Sequence, residues 1–164
     1  MIKHLQKSWG NIGTALFWLL WPFWVLYFKM SNRRSRVLVV HNNTVLLVQN
    51  WIGSKHYSLP GGGARKRESA TSAGVRELQE ETGITLPVSA LTETGSLCYN
   101  KRFISYEATF FSAELNLLPL LKIRKLEISK AIWMPLAEYT NYPLDDETLY
   151  ALKRYKPLEQ ASLL

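Results

Sequence analysis

Between Arg36 and Trp51 the chain carries two aliphatic runs, RVLVV and TVLLV, on either side of the polar stretch His41-Asn42-Asn43. Short β-branched runs bounded by turn residues predict two strands joined by a turn. Ile52 to Gly63 reads as a loop, with a short extended piece ending at Pro60. The spacing predicts a helix from Glu68 to Thr82 that stops before Gly83. Ser96 to Leu115 reads as a hairpin turning near Asn100-Lys101. Leu117 to Lys125 alternates apolar and basic residues and matches no regular element. KAIWMPL is a strand ending at Pro135, and DDETLYALKRYK is a C-terminal helix capped by Asp145 or Asp146. Strands around one strong central helix point to a mixed α/β domain.

The start of the chain has a different pattern. Ser8 to Phe28 contains no charged residue, and Trp9, Trp18, Trp21 and Trp24 lie within it. A helix of that length spans about 30 Å, the thickness of a bilayer hydrocarbon core. Tryptophan favours the membrane interface. Residues 8–28 are therefore expected to contact membrane lipid as an anchor. A cleaved signal peptide is disfavoured because no small-x-small site follows the run. A buried or partner-binding helix is the remaining alternative. Pro22 removes a backbone donor, so a kinked span, a re-entrant segment and an in-plane helix all stay open. Lys29, Arg33, Arg34 and Arg36 follow the run and favour a cytoplasmic side for what comes after it. The expected organisation is an anchor over residues 1–32 and a catalytic domain over 33–164, membrane-associated and facing the cytoplasm.

Composition is globular, with 164 residues, 47% hydrophobic and 20% charged. The formal net charge of +7 favours anionic partners and leaves nucleic acid open without favouring it. Cys98 is the single cysteine, which excludes an internal disulfide and a thiolate metal cluster.

In this basic chain, four glutamates gather between Glu68 and Glu81. On a helical wheel Thr71, Val75, Leu78 and Thr82 form the expected buried stripe. Glu77, Glu80 and Glu81 sit at i, i+3 and i+4 on an adjoining arc, so their carboxylates meet on one surface. Three negative charges there are unfavourable without a counterion, and a hard divalent cation with a preference for oxygen ligands removes that cost. Arg76 stands four residues before Glu80 and can orient a neighbouring carboxylate. Gly61, Gly62 and Gly63 let the backbone approach a metal or a phosphate closely.

These residues resemble the Nudix box. Gly62, Glu68, Arg76, Glu77, Leu78, Glu80, Glu81, Gly83 and Ile84 each fall in its register. The paired strands before LPGG and the later EISKAIWMPL are also similar to the family, whereas Met1 to Asn32 lie outside the resemblance. The resemblance implies an α/β/α sandwich with a mixed β-sheet, to which the N-terminal run would add a hydrophobic helix. It implies hydrolysis of a nucleoside diphosphate derivative, with Glu77, Glu80, Glu81 and the Gly61 carbonyl holding Mg²⁺ or Mn²⁺. Arg76 and Glu68 would hold loop and helix in place. Glu81, Glu80 or a later-loop residue, best Glu127, would take the proton from water. Many members carry Gly where this chain has Arg67. Arg65, Lys66 and Arg67 are candidate contacts to a polyphosphate or an acidic lipid, with a solvated basic loop as the alternative. Tyr99 is a candidate substrate contact, and Tyr99, Phe103 and Tyr106 are candidates to stack on a base. A lipid-linked or RNA 5′ diphosphate substrate and a non-catalytic ligand sensor remain alternative functions.

Overall fold

The computed structural model describes residues 32–51, 55–101 and 104–155. The N-terminal run 8–28 and Phe103 lie outside these residues. Among the described residues no helix is long and apolar enough to cross a membrane.

Strand β1 (Arg33–His41) and strand β2 (Thr44–Asn50) form the expected hairpin. The turn has only two residues, Asn42 and Asn43, with φ of 44° and 60°. Both positions of this turn type need left-handed backbone, which asparagine tolerates better than most residues. β1 pairs with β2 on one side and with β4 (Ile104–Glu114) on the other. The sheet order is β3-β4-β1-β2-β5, with β1 and β4 parallel and the other pairs antiparallel. β3 spans Thr92–Lys101 and β5 spans Ile128–Pro135. β3 starts before the expected Ser96, and its register shifts between Glu93 and Gly95.

The aliphatic run of β1 is continuous because the strand is covered on both faces. Val37 and Val39 pack under helix α1 (Ala70–Thr82) with Leu46, Leu78 and Ile84. Leu38 and Val40 face the opposite way, toward Leu59, Phe110, Met134 and Leu152 of helix α2 (Asp146–Arg154). The result is the α/β/α sandwich that the resemblance implied, with Asp145 capping α2 through the Thr148 N–H.

Helix α1 begins two residues later than expected. The Ser69 side chain accepts from the Ser72 N–H and caps it, which leaves Glu68 outside the helix. The buried stripe is also rotated. Thr71 and Val75 are only half-buried, whereas Ala73, Gly74, Leu78, Glu81 and Thr82 are buried. The cause is close packing at Gly74, where an added Cβ would lie 3.1 Å from a Val37 methyl. The rotation turns Glu81 inward.

Leu117 to Lys125 has no regular structure but is pinned across the end of α1. The Lys122 N–H donates to the Thr82 carbonyl and the Arg124 N–H to the Glu81 carbonyl, at 2.8 and 3.1 Å. The α1 C-cap is Gly83, with φ of 78°. A Cβ there would sit 2.8 Å from Lys122 Cβ, in a backbone conformation that costs an L-residue about 1–2 kcal/mol. Gly83→Ala is therefore expected to lower the unfolding free energy by about 2 kcal/mol or more. Urea denaturation monitored by circular dichroism measures the loss.

Candidate active site

The glycine loop lies directly against β1. The Val37 N–H donates to the Pro60 carbonyl and the Ser35 N–H to the Gly62 carbonyl, each at 2.9 Å. Gly61 has φ of +143°, and a Cβ there would fall 2.0 Å from the Ser35 carbonyl oxygen. At Gly62 a Cβ would lie 2.6 Å from the Glu77 carboxyl carbon. The missing side chains thus let the loop slot between β1 and the acidic face of α1.

Arg76 ties that loop to the helix. Its Nε and Nη2 donate to the two Glu68 oxygens at 2.8 and 3.0 Å. Nη2 also donates to the Gly63 carbonyl at 2.9 Å, and Nη1 to Glu77 Oε1 at 2.7 Å. The hydrogen bonds to Glu68 raise the guanidinium above its ordinary pKa, and the same contact holds Glu68 below the usual carboxylate range. A planar fork satisfied on every side is a rigid strut.

The three helix carboxylates differ in setting. Glu81 is 8% exposed, and its Oε2 accepts the Gly61 N–H at 2.9 Å. Burial pushes its pKa up to about 7, against the pull of that N–H and of Arg36; the charges of Glu77 and Glu127 add to the rise. Burial also raises Glu77, against the pull of Arg76. Glu80 is more open and bonds Arg65 Nη2 at 3.0 Å, with Arg76 and Arg124 at 3.5 and 3.7 Å. Glu127 comes from the segment before β5 and pairs with Arg124 at 3.4 Å. It shares with Glu81 a pocket of about 220 Å³, also lined by Asn50, Trp51 and Leu126.

Among the described residues no three acidic, histidine or cysteine side chains stand as a ready-made ligand set. Arginines draw Glu77 and Glu80 aside, while the Gly61 N–H holds Glu81. The donors nevertheless fit a hard divalent ion. Glu77, Glu80, Glu81 and Glu127 offer only oxygen, and burial disfavours the charge on Glu77 and Glu81. A cation would remove that penalty. The Gly61 carbonyl accepts from Arg36 Nη1 at 2.6 Å and keeps a second lone pair.

Of the basic triplet, Arg65 reaches Glu80, and its backbone N–H donates to Glu68. Lys66 and Arg67 are exposed. Arg67 has φ of 65°, which explains why glycine suits this position in related boxes.

On the α2 face lies a second cleft of about 340 Å³, lined by Arg34, Arg36, Tyr99, Tyr106, Asp145, Asp146 and Glu147. Tyr99 and Tyr106 are cross-strand partners with rings 5.1 Å apart and 22° from parallel. The Arg34 guanidinium lies 4.3 Å over the Tyr106 ring. The Tyr106 hydroxyl donates to Glu147 Oε1 at 2.5 Å, and Arg36 Nε donates to Glu147 Oε2 at 2.6 Å. Burial pushes Glu147 up, but Arg36 and Tyr106 outweigh it and hold the carboxyl below its usual range. Burial lowers Arg36 in turn, and Glu147 more than restores it.

Sequence reasoning found Tyr99 and Tyr106 but missed Arg34, Arg36 and Glu147, and it saw Asp145 and Asp146 only as caps. One signal was available. Arg36 shares the inward face of Leu38 and Val40, so it is a charge at an apolar position of a strand.

Fold and site together define a class. The NUDIX domain family model matches residues 31–155. The chain is 32% identical over 126 residues to Nudix hydrolase 2 of Arabidopsis thaliana, covering 72% of this chain and 43% of that protein. It is 30% identical over 121 residues to Nudix hydrolase 6 of the same plant, covering 71% and 40%. The chain thus spans about two-fifths of the length of these relatives. Among solved structures, an Ap4A hydrolase of C. elegans in a binary complex superposes with a TM-score of 0.66 at 19% identity, covering 79% of this chain and 98% of that one. The NUDIX domain of Shewanella oneidensis NrtR, complexed with ADP ribose, superposes with a TM-score of 0.67 at 20% identity, covering 77% and 87%. The chain belongs to the Nudix hydrolase family.

The setting of Glu81 has a thermodynamic consequence. Its folded pKa of about 7 lies above the ordinary 4.5. The stability linked to this group is fully present below about pH 4.5 and is lost as pH rises to about 7. The loss is of order 3 kcal/mol in metal-free protein. Glu81→Gln is expected to flatten this fall, seen as thermal midpoints that converge at pH 4.5 and favour the variant at pH 8. Adding Mg²⁺ at pH 8 is expected to stabilise the natural chain more than the variant.

Proposed function

We propose that the chain hydrolyses the diphosphate linkage of a nucleoside diphosphate derivative with the help of a divalent cation. The observation that carries this reading is the convergence of Glu77, Glu80 and Glu81 on the Gly61 loop, braced by Arg76 and Glu68. Bound Mg²⁺ or Mn²⁺ would neutralise phosphate oxygens and acidify water. Glu77, Glu80 and Glu81 would hold it, with the Gly61 carbonyl beside them.

The chain's own groups supply the rest. Arg65 and Arg124, now on Glu80, have side chains 66% and 48% exposed, so both could turn to phosphate oxygens. Lys66 and Arg67 add positive charge along the same approach. Glu81 has a proton affinity poised near neutrality, which suits a group that accepts a proton from water. Glu127, which lines the small pocket with it, and Glu80, the most open of the three helix carboxylates, are the alternative bases.

The aromatic cleft supports a nucleoside at one end of the substrate. Tyr99 and Tyr106 offer a stacking surface. Asp145 and Asp146 offer acceptors to amino or hydroxyl groups. The two neighbours solved with or named for ADP ribose and Ap4A are handlers of nucleotide derivatives, which agrees with this reading. A second reading, a diphosphate carried on a lipid, is favoured by Trp51 and Leu126 at the small pocket. The uncharged run 8–28 would tether residues 33–164 to the cytoplasmic face of a membrane.

A panel of nucleoside diphosphate derivatives assayed with Mg²⁺ and Mn²⁺ identifies the substrate. On that substrate, Glu80→Gln and Glu81→Gln are expected to lower kcat by roughly 10²- to 10⁴-fold. Rates near the natural level in both variants would refute the catalytic reading. For the tether, the full-length chain is expected to remain with membranes through a carbonate wash, and its release would refute the anchor.

A further inference from the structure

The segment between β4 and β5 leaves several large apolar side chains in water. Leu117, Leu118, Leu120 and Leu126 are 83%, 59%, 85% and 88% exposed, and Trp51, which lines a pocket with Leu126, is 67% exposed. Looseness does not explain this exposure. Backbone hydrogen bonds pin Lys122 to Thr82 and Arg124 to Glu81, while the Trp51 N–H donates to the Glu127 carbonyl. Leu121 in the same segment turns inward onto the core under α1. The chain thus partly buries Leu121 and holds Leu117, Leu118, Leu120 and Leu126 out, forgoing about 1.5–3 kcal/mol of burial for each of these four.

The charges in the segment are mostly basic. From residue 116 to 127 there are three basic residues, Lys122, Arg124 and Lys125, and one acidic residue, Glu127, which pairs with Arg124. Exposed leucines and a tryptophan among cations form the composition of a surface that rests in a bilayer interface. Each cation near an anionic headgroup adds roughly 1 kcal/mol. The chain enters the fold near the Arg124 end of this segment. Ala64 of the glycine loop donates to the Arg33 carbonyl. Arg65 of that loop and Arg124 of the exposed segment both reach Glu80. The uncharged run of the sequence stops at Phe28, shortly before Arg33.

We infer that residues 116–127, together with Trp51, form a docking surface for an anionic lipid bilayer, distinct from the run 8–28. Trp51 and Leu126 also line the pocket that holds Glu81 and Glu127. Docking therefore sets the mouth of that pocket at the headgroup layer. The inference stands on exposure and charge, independently of the proposed activity.

The test uses the full chain with Cys98→Ser, so that a single introduced cysteine can carry a polarity-sensitive fluorophore. The label is placed by Leu120→Cys or Leu126→Cys, with Lys153→Cys, exposed on α2 across the sheet, as the control. Vesicles rich in phosphatidylserine are expected to shift the emission of labels 120 and 126 to the blue and to leave label 153 unchanged. Lys122→Gln and Lys125→Gln are expected to weaken this docking roughly fivefold each. Absence of a shift at 120 and 126 overturns the inference, as does an equal shift at 153. A blue emission already present without lipid also overturns it, because the surface is then covered by the chain's own N-terminal segment or by a second copy.

Discussion

Gly61 is the residue on which both halves of the site depend. Its N–H donates to buried Glu81 of α1, and its carbonyl accepts from Arg36 of β1. Arg36 in turn carries Glu147 of α2, which receives the Tyr106 hydroxyl. One residue, through its two flanking peptide groups, thus links the acidic face of α1 to the aromatic cleft on the other side of the sheet. Only glycine permits this. The φ of +143° disfavours any L-side chain, and a Cβ would collide with the Ser35 carbonyl.

The two buried arginines do different work. Arg76 is confined to the box, where it locks Glu68, Glu77 and the Gly63 carbonyl into one rigid unit. Arg36 joins the Gly61 carbonyl to Glu147 of α2, and its side chain is 12% exposed. Removing one member of such a buried pair strands the other charge, which costs far more than the pair contributes. Arg36 and Glu147 are therefore kept together by the penalty of separating them, and this constraint fixes the start of α2 against the start of β1.

The box was legible because its geometry is local. Glu77, Glu80 and Glu81 meet through helix periodicity alone, and the glycines precede them by a fixed interval. The strands were legible from their aliphatic runs, and the cap at Ser69 moved one boundary by only two residues. Two kinds of feature were hidden. The first is the rotation of α1. Gly74 and Ala73 carry little hydrophobic signal, yet their small size lets the helix sink onto Val37, so Glu81 is buried where Val75 was expected. The second is the cleft. Arg36 and Glu147 are separated by 111 positions, and no periodicity joins residues that meet only through topology.

The concentration of carboxylates in a basic chain follows from the same arrangement. Glu81 is buried and Glu77 partly buried against backbone that only glycine can supply, and this makes their charge unfavourable. Arg76, Arg65, Arg36 and Arg124 surround the cluster and prevent it from becoming an open acidic patch. Under the proposed activity, a cation held among the glutamates would satisfy them and free their arginines for the phosphate oxygens of the substrate. The acidic core and the basic rim would then serve one diphosphate rather than oppose each other.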